Sequence, residues 1–189
     1  MKPKNHPLPR ATEMAHRFVL ERIRPGDRAI DATSGNGHDT LFLAKSVGPE
    51  GKVYAFDIQE QAIDATAAKT SGLPQVELFC LGHEEMDKVV SERVKTIMFN
   101  LGYLPKGDKT VITQTDTTLR ALEAGIRLLD EGGLLSITLY EGHEGGQEEA
   151  EAVLTWAEGL DQADFYVARY QFLNLRNSPP SLLVIEKRH

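Results

Sequence analysis

The sequence predicts an α/β fold in which a seven-stranded, mostly parallel sheet carries helices on both faces. Apolar segments typical of strands alternate with segments of helical periodicity, and this alternation requires parallel strands joined by helical crossovers. A Gly-x-Gly turn follows the first predicted strand, as in sheets that bind nucleotide-like ligands. The last two predicted strands are separated only by Leu173–Pro180, which has no room for a helix, so we expect them to be antiparallel.

The elements follow in order from the apolar pattern. Apolar side chains from Ala11 to Ile23 have helical spacing, and Pro25-Gly26-Asp27 ends this first helix. The predicted strands are Ala29–Ala32, Val53–Asp57, Val76–Leu81, Thr96–Asn100, Gly133–Tyr140, Phe165–Phe172 and Ser181–Lys187. The predicted helices between them lie near His38–Ser46, Glu60–Ser71, Glu84–Ser91, Asp116–Leu129 and Gln147–Glu158.

Length and composition predict one cytoplasmic domain spanning residues 1–189, because no repeat or domain linker is present. No apolar run approaches the ~18 residues of a membrane span, and the N-terminus lacks the apolar part of a secretory signal. The net charge of −7 argues against broad nucleic-acid binding, although residues 1–10 form a basic arm with Lys2, Lys4 and Arg10. Cys80 is the only cysteine, and its apolar neighbours predict a buried strand thiol.

The turn from Asp31 to Thr40 favours one cofactor over another. A dinucleotide site usually has a third glycine where Thr40 stands, and a phosphate placed close to Asp31 would be repelled. S-adenosylmethionine carries an ammonium, a sulfonium and a ribose but no phosphate, so it fits an acidic turn better. Asp57 follows Gly37 by twenty positions at the end of the second strand, where an acid can bind the ribose hydroxyls. An NAD-dependent oxidoreductase is therefore the weaker alternative.

The carboxyl ends of the parallel strands define the expected crevice. Asp31, Asp57, Gly82-His83, Asn100 and Tyr140 each lie at or just past such an end, so they should converge. His83 is interpreted either as a cofactor contact or as a cap of the following helix.

Two later loops contain candidate substrate contacts. Three glycines within Tyr140–Gly146 indicate unusual backbone conformations or close approach to a ligand, and His143 is a candidate base or substrate contact. We expect no metal, because His143 lacks His or Cys partners at ligand spacing. The loop Asn174–Pro180 is rich in donors and is interpreted as a clamp for a nucleotide backbone or as a plain turn.

The loop Asn100–Pro105 resembles the Asp/Asn-Pro-Pro-Tyr loop of methyltransferases that act on amino groups, with Leu101-Gly102 in place of the prolines. In that loop the Asn side chain and a backbone carbonyl accept hydrogen bonds from the amine, and the aromatic residue stacks on the base. The resemblance gives Asn100 and Tyr103 these roles. In-line displacement needs the nitrogen lone pair to point at the methyl carbon, so the value of the loop lies in orientation.

Seven strands with an antiparallel end are the pattern of Rossmann-like class I methyltransferases. Beyond this pattern, the chain resembles the small bacterial S-adenosylmethionine-dependent enzymes of the rRNA-methylase family. The motifs that carry the resemblance lie at Asp31–Thr40, Gly82–Glu84, Asn100–Pro105, Thr115–Thr118, Tyr140–Gly146 and Asn177–Pro180. The resemblance implies methylation of 5-aminomethyl-2-thiouridine at the tRNA wobble position. Alternatives are an rRNA methyltransferase, a small-molecule N- or O-methyltransferase and a non-catalytic adaptor.

The pattern and the resemblance together predict a set of site residues. Predicted cofactor contacts are Asp31, Thr33, Gly35, Asn36, Gly37, Asp39, Thr40, Asp57, Ile58, Gln59, His83, Glu84 and Asn100. Predicted substrate contacts are Leu101, Gly102, Lys106, Tyr140, His143, Asn174, Arg176 and Asn177. The expected partner is the tRNA anticodon loop, docked on a basic surface that includes Lys2, Lys4, Arg10, Lys106, Lys109 and Arg176, and a homodimer is considered. Candidate bases for the amine proton are Asp39, Glu141 and His143.

Overall fold

The computed structural model describes residues 8–102, 115–142, 145–176 and 179–189. The strands are β1 (Arg28–Asp31), β2 (Lys52–Asp57), β3 (Val76–Cys80), β4 (Val94–Leu101), β5 (Leu129–Leu139), β6 (Phe165–Tyr170) and β7 (Ser181–Lys187). The helices are α1 (Ala11–Arg22), α2 (His38–Val47), α3 (Glu60–Lys69), α4 (Met86–Val89), α5 (Thr115–Leu128) and α6 (Gly146–Glu158), with a 3₁₀ turn at His83–Glu85. None of the helices in these ranges is long and apolar enough to cross a membrane.

Within the described ranges, seven strands form one sheet in the order β3-β2-β1-β4-β5-β7-β6. The strands from β3 to β5 pair in parallel, and β7 pairs antiparallel with both β5 and β6. The predicted fold class and the predicted antiparallel end are therefore confirmed. The chain winds outward from β1 to β3 and then returns to place β4 on the other side of β1. This reversal opens a crevice at the carboxyl ends of β1 and β4, where open α/β sheets bind ligands.

The core lies on both faces of the sheet because neighbouring residues in each strand point to opposite sides. In β1, Ala29 packs on the face covered by α1 and α2, whereas Ile30 packs on the face covered by α4, α5 and α6. In β4, Met98 and Phe99 divide in the same way. Burial on both faces holds the central strands rigidly, so the residues at their carboxyl ends have fixed positions.

Several element boundaries differ from the prediction. The sequence predicts a helix to Leu129 and a strand from Gly133, but α5 ends at Leu128 and β5 starts at Leu129. A register shift between Val94 and Thr96 lets β4 accommodate this longer partner strand. The predicted helix near Glu84–Ser91 is a 3₁₀ turn followed by the four residues of α4.

The prediction of a buried thiol at Cys80 is wrong. Cys80 is exposed, because it ends β3 and β3 is an edge strand covered less completely than the central strands. Apolar neighbours in sequence cannot distinguish an edge strand from a central one, since strand order is a property of the whole sheet.

Candidate functional site

The glycine-rich turn lies between β1 and α2 and is held by backbone hydrogen bonds. The Ala32 amide donates to the Met98 carbonyl of β4 at 2.8 Å, and the Ser34 amide donates to the Phe56 carbonyl of β2 at 2.8 Å. The Gly37 amide closes the turn on the Ser34 carbonyl at 2.7 Å. Within the part of the chain that the structure describes, the buried Ser34 hydroxyl has no hydrogen-bond partner. The two strands beside β1 therefore fix the shape of the turn.

Gly37 serves helix packing as well as the turn. Its φ of 71° is in the left-handed region, and a Cβ there would lie 2.9 Å from the Thr66 Cα of α3. The Thr66 hydroxyl also donates to the Gly35 carbonyl at 3.2 Å. The sequence predicts that both glycines make room for a ligand, but at Gly37 the backbone of α3 occupies that space.

Asp57 lies at the carboxyl end of β2 beside the same turn. One of its carboxylate oxygens accepts the Gly35 amide at 2.9 Å, and the other accepts the Gln59 amide at 3.0 Å. An ionised carboxylate has about four acceptor positions, so two backbone bonds leave capacity for two further donors. This acceptor set suits a pair of vicinal hydroxyl groups.

Asp31 is fully buried at the end of β1. Its carboxylate accepts the Thr40 hydroxyl at 2.6 Å and the Thr33 amide at 3.2 Å. Burial raises the pKa of Asp31 to about 7, and the negative charge of Asp39 adds to this shift. Asp31 thus ties the turn to the start of α2, and its contact with a cofactor stays a prediction.

Asp39 and Asn100 form the central polar contact of the crevice. The Asn100 side-chain amide donates to Asp39 Oδ2 at 2.6 Å, and the Asn100 backbone amide donates to the Thr33 hydroxyl at 2.7 Å. Burial raises the pKa of Asp39, but hydrogen bonds from His16 and Asn100 outweigh burial, so the net pKa is below its ordinary value. Asp39 is therefore ionised near neutral pH.

His16 belongs to this site although no pattern in the sequence singles it out. Its Nε2 lies 2.7 Å from Asp39 Oδ1, and its ring stacks on Phe42 of α2 with 3.8 Å between centroids and 5° between planes. His16 and Asp39 are 23 positions apart on separate helices, so no local signal marks the pair. Only the packing of α1 beside α2 brings them together.

His83 is buried behind the turn. Burial lowers the pKa of His83, although the negative charge of Glu84 partly opposes this shift. The ring also lies against Phe99, with 5.7 Å between centroids. The 3₁₀ turn that begins at His83 has no side-chain cap, so the predicted capping role is wrong. The cofactor contact stays a prediction.

Tyr140 follows β5 and borders a cleft of about 350 Å³. Burial raises the pKa of Tyr140, and the negative charge of Asp39 adds to the shift. The other lining residues are Arg10, Ala11, Thr12, Phe172, Leu175, Pro179 and Pro180. Aromatic and proline walls with one guanidinium at the start of α1 suit a flat, partly anionic ligand.

Asp31, Asp57, Asn100 and Tyr140 lie at or next to the carboxyl ends of β1, β2, β4 and β5, but the predicted residues differ in exposure. The Leu101 side chain is buried in the core, so only its backbone can face a substrate. Ile58, Asn174 and Arg176 are exposed, and Asn36, Gln59, Glu84 and Gly102 are half-buried. Tyr103, Lys106, His143 and Asn177 lie outside the described residues.

Glu141 does not fit the role of a base. Its carboxylate accepts Arg169 Nη2 at 2.7 Å and the Ser181 hydroxyl at 3.3 Å, which ties it to the antiparallel end of the sheet. Across the described ranges, no group of three or more His, Cys, Asp or Glu residues is arranged to hold a metal ion.

Comparisons with known proteins identify the family to which the chain is related. The family model described as "Putative rRNA methylase" matches residues 53–186. Over 192 aligned residues the chain is 45% identical to the tRNA (mnm(5)s(2)U34)-methyltransferase, chloroplastic, of Arabidopsis thaliana. That alignment covers 95% of this chain and 70% of the plant protein.

Two solved structures share the fold over nearly the whole chain. A Clostridium thermocellum protein described as a "putative rRNA-methylase" is 42% identical with a TM-score of 0.94, and the match covers 96% of this chain and 100% of the other. A Streptococcus mutans protein described as a "putative methyltransferase", in complex with S-adenosylhomocysteine (SAH), is 43% identical with a TM-score of 0.88. That match covers 95% of this chain and 99% of the other.

Proposed function

The chain belongs to the family described as "Putative rRNA methylase", and we propose that it transfers a methyl group from S-adenosylmethionine to the 5-aminomethyl group of 5-aminomethyl-2-thiouridine at the tRNA wobble position. The product is the 5-methylaminomethyl base. The observation that carries this proposal is the Asn100 amide, fixed by Asp39 at 2.6 Å at the carboxyl end of β4. The Arabidopsis thaliana relative, whose name specifies U34 of tRNA, supports the choice of substrate.

The residues present fit S-adenosylmethionine, which supplies an electrophilic methyl group on a positively charged sulfur. Asp57 has acceptor capacity for the ribose hydroxyls beyond its two backbone bonds. Asp39 supplies a negative charge for a cationic ligand, because its pKa is lowered. The same carboxylates would repel the pyrophosphate of a dinucleotide, so these two acids favour S-adenosylmethionine over NAD as the cofactor.

Asn100 would orient the acceptor amine. Its side-chain nitrogen is committed to Asp39, so its carbonyl oxygen is the atom that can accept an N–H of the amine. A hydrogen bond at this oxygen fixes the nitrogen and directs its lone pair, which is the requirement of in-line displacement.

The amine must react in its neutral form. An alkylammonium has a pKa of about 10 in water, and transfer into a half-buried crevice lowers that pKa by desolvation. Asp39 is a poor base for this proton, because its pKa is lowered and both of its oxygens already accept hydrogen bonds. We therefore propose that the amine gives its proton to solvent water as it enters the site.

The cleft beside Tyr140 supports an RNA substrate. Phe172 and Pro180 offer flat surfaces on which a splayed base can stack, and Arg10 offers a cation for a phosphate. The wobble base lies in a single-stranded loop, so extruding it costs little free energy. Arg10 and Arg176 are the exposed cations of the predicted docking surface within the described residues, and Lys2, Lys4, Lys106 and Lys109 lie outside them.

Three further predictions concern the domain organisation, the location in the cell and the oligomeric state. We expect residues 1–189 to act as one domain. We expect the protein to be located in the cytoplasm, with its tRNA substrate. A homodimer is supported by the edge strand β6, which exposes Tyr166 and Val167, and a molar mass from light scattering checks it.

The test is methylation of tRNA that carries 5-aminomethyl-2-thiouridine, followed by mass spectrometry of the nucleosides. We expect the wild-type chain to produce the 5-methylaminomethyl base and Asn100→Ala to lower kcat about 100-fold, because the amine loses its orienting acceptor. Gln162→Ala is the matched control, since this exposed amide precedes β6 far from the crevice.

An unchanged nucleoside profile with the wild-type chain contradicts the substrate. Calorimetry with SAH then tests the cofactor separately. Methyl transfer to rRNA or to a free amine under the same conditions would favour one of the alternative methyltransferase functions.

A further inference from the structure

We propose that His16 is a positioning residue for methyl transfer, holding Asp39 so that the Asn100 carbonyl oxygen faces the acceptor amine. The inference rests on the proposed function, since it describes how that site is kept in its reactive arrangement. It adds His16 of α1 to the contact between Asp39 of α2 and Asn100 of β4.

The geometry is a continuous chain of three side chains from three elements. His16 Nε2 of α1 lies 2.7 Å from Asp39 Oδ1 of α2, and Asp39 Oδ2 lies 2.6 Å from Asn100 Nδ2 of β4. Stacking on Phe42, with ring planes 5° apart, fixes the plane of the imidazole. The Asp39 side chain is only 14% exposed, so water competes weakly for its oxygens.

The protons in this chain follow from the charge of Asp39. An ionised carboxylate can only accept hydrogen bonds, so His16 must carry its proton on Nε2 and Asn100 must present its NH₂ group to Asp39. The two polar atoms of a planar amide lie on opposite sides of Cγ. The Asn100 oxygen therefore faces away from Asp39, and an amide rotated by half a turn would lose its bond with Asp39.

Asn100 is also held through its backbone. Its N–H donates to the Thr33 hydroxyl at 2.7 Å, in the turn where many methyltransferases have a glycine. The backbone contact fixes the position of the residue, and the Asp39 contact fixes the rotation of its amide. His16 acts on the rotation of the Asn100 amide, because it holds Asp39.

Other charged and titratable groups also face Asp39. Asp31 of β1 repels it, His38 at the start of α2 attracts it, and Tyr140 after β5 has a pKa raised by burial and by Asp39. His16, in contrast to these neighbours, makes a direct side-chain hydrogen bond to Asp39 Oδ1. Loss of the His16 donor should therefore move the Asp39 carboxylate and, with it, the Asn100 amide.

Three variants separate positioning from packing. His16→Phe keeps an aromatic ring to stack on Phe42 but removes the donor, and we expect kcat to fall about tenfold while KM for S-adenosylmethionine stays unchanged. A displacement of about 1 Å at a reacting group can cost about 100-fold, so tenfold is a moderate expectation. His16→Gln restores an N–H near the position of Nε2 and should keep kcat within about threefold of the wild type. His189→Phe, at the exposed end of the chain, is the matched control.

A second readout is the titration of Asp39 followed by carboxyl ¹³C NMR. His16→Phe should raise the pKa of Asp39, because a hydrogen bond and a neighbouring positive charge are both removed. This measurement needs no acceptor, so an unchanged Asp39 pKa overturns the His16 inference even if the wild-type chain fails to methylate the proposed tRNA.

The inference is overturned if His16→Phe leaves either kcat or the Asp39 pKa unchanged, or if His16→Gln loses as much activity as His16→Phe. Thermal melting checks that each variant is folded. If His16→Phe does not fold, Asp39→Asn takes its place, because a neutral amide can accept or donate and no longer fixes the Asn100 rotation. Full activity of Asp39→Asn would equally overturn the inference.

Discussion

At the scale of single residues, the crevice contains acids with opposite electrostatic environments. Asp31 has a pKa raised to about 7 by burial, whereas hydrogen bonds from His16 and Asn100 hold the pKa of Asp39 below its ordinary value. Asp39, which borders the crevice, is thus ionised, whereas the buried Asp31 is partly protonated near neutral pH. This division provides a negative charge for a cationic cofactor with less mutual repulsion than two ionised neighbours would have.

Asp31 should make folding stability depend on pH. Because the pKa of Asp31 is raised in the folded protein, its contribution to folding stability is fully present below about pH 4. This contribution is lost as pH rises to about 7, where Asp31 loses its proton in the folded protein as well. We expect the free energy of unfolding of the wild type to fall across this window by up to about 1.4 kcal/mol per pH unit relative to Asp31→Asn. Urea unfolding between pH 4.5 and 7.5 measures it.

Asp64→Asn is the control for this titration, since Asp64 is exposed on α3. It should retain the wild-type slope of stability against pH. Parallel slopes for the wild type and Asp31→Asn would mean that Asp31 has no raised pKa in the folded chain.

At the scale of elements, the glycine-rich turn depends on the contact between α2 and α3. Gly37→Ala places a Cβ 2.9 Å from the Thr66 Cα and also forces alanine into a φ of 71°. The left-handed conformation costs about 1–2 kcal/mol and overpacking about 1–3 kcal/mol, so we expect a loss of at least about 2 kcal/mol. Thermal unfolding should show Tm lowered by about 4 °C or more.

Gly72→Ala is the matched control for Gly37→Ala. Gly72 has a φ of 84°, but a Cβ there meets nothing within 4 Å, so this variant carries the conformational cost alone. Equal losses in the two variants would show that the contact with α3 contributes nothing.

Elements were predicted more reliably than their ends. Runs of apolar residues identified the central strands correctly, because burial between two helical layers requires apolar side chains on both faces of a strand. The start of β5 was missed, since Leu129 pairs with Val94 through a register shift that depends on β4 rather than on local sequence. Cys80 was placed wrongly for a similar reason, since the edge position of β3 is set by strand order.

At the scale of the whole molecule, the fold joins distant segments around one crevice. The Tyr170 hydroxyl of β6 donates to the Pro9 carbonyl at 2.7 Å, which holds the chain before α1 beside the antiparallel end of the sheet. Arg10 consequently lines the same cleft as Tyr140 and Phe172. Residues 8–10, the described part of the basic N-terminal arm, therefore lie next to the site, although the net charge of the chain is −7.

Charge reversal on this surface should weaken RNA binding. We expect the double variant Arg10→Glu and Arg176→Glu to raise Kd for the tRNA, and to reduce the slope of log K against log salt by about 1 for each phosphate that it no longer neutralises. Filter binding at several salt concentrations measures both. Arg93→Glu, exposed just before β4 at the amino ends of the parallel strands, is the control for Arg10→Glu and for Arg176→Glu, each measured also as a single variant. An equal effect of Arg93→Glu would contradict docking at the crevice.

The sequence by itself determined the α/β class, the order of the strands and helices along the chain and the acidic, glycine-rich turn. These features follow from periodicity and from backbone demands that neighbouring residues satisfy locally. The tertiary structure alone decided which acid is buried, that His16 reaches Asp39, that Gly37 makes room for α3 and that Arg10 lies beside Tyr140. Each of these depends on contacts between elements far apart in sequence, and burial and hydrogen bonding set the charge of a side chain only once those elements are packed.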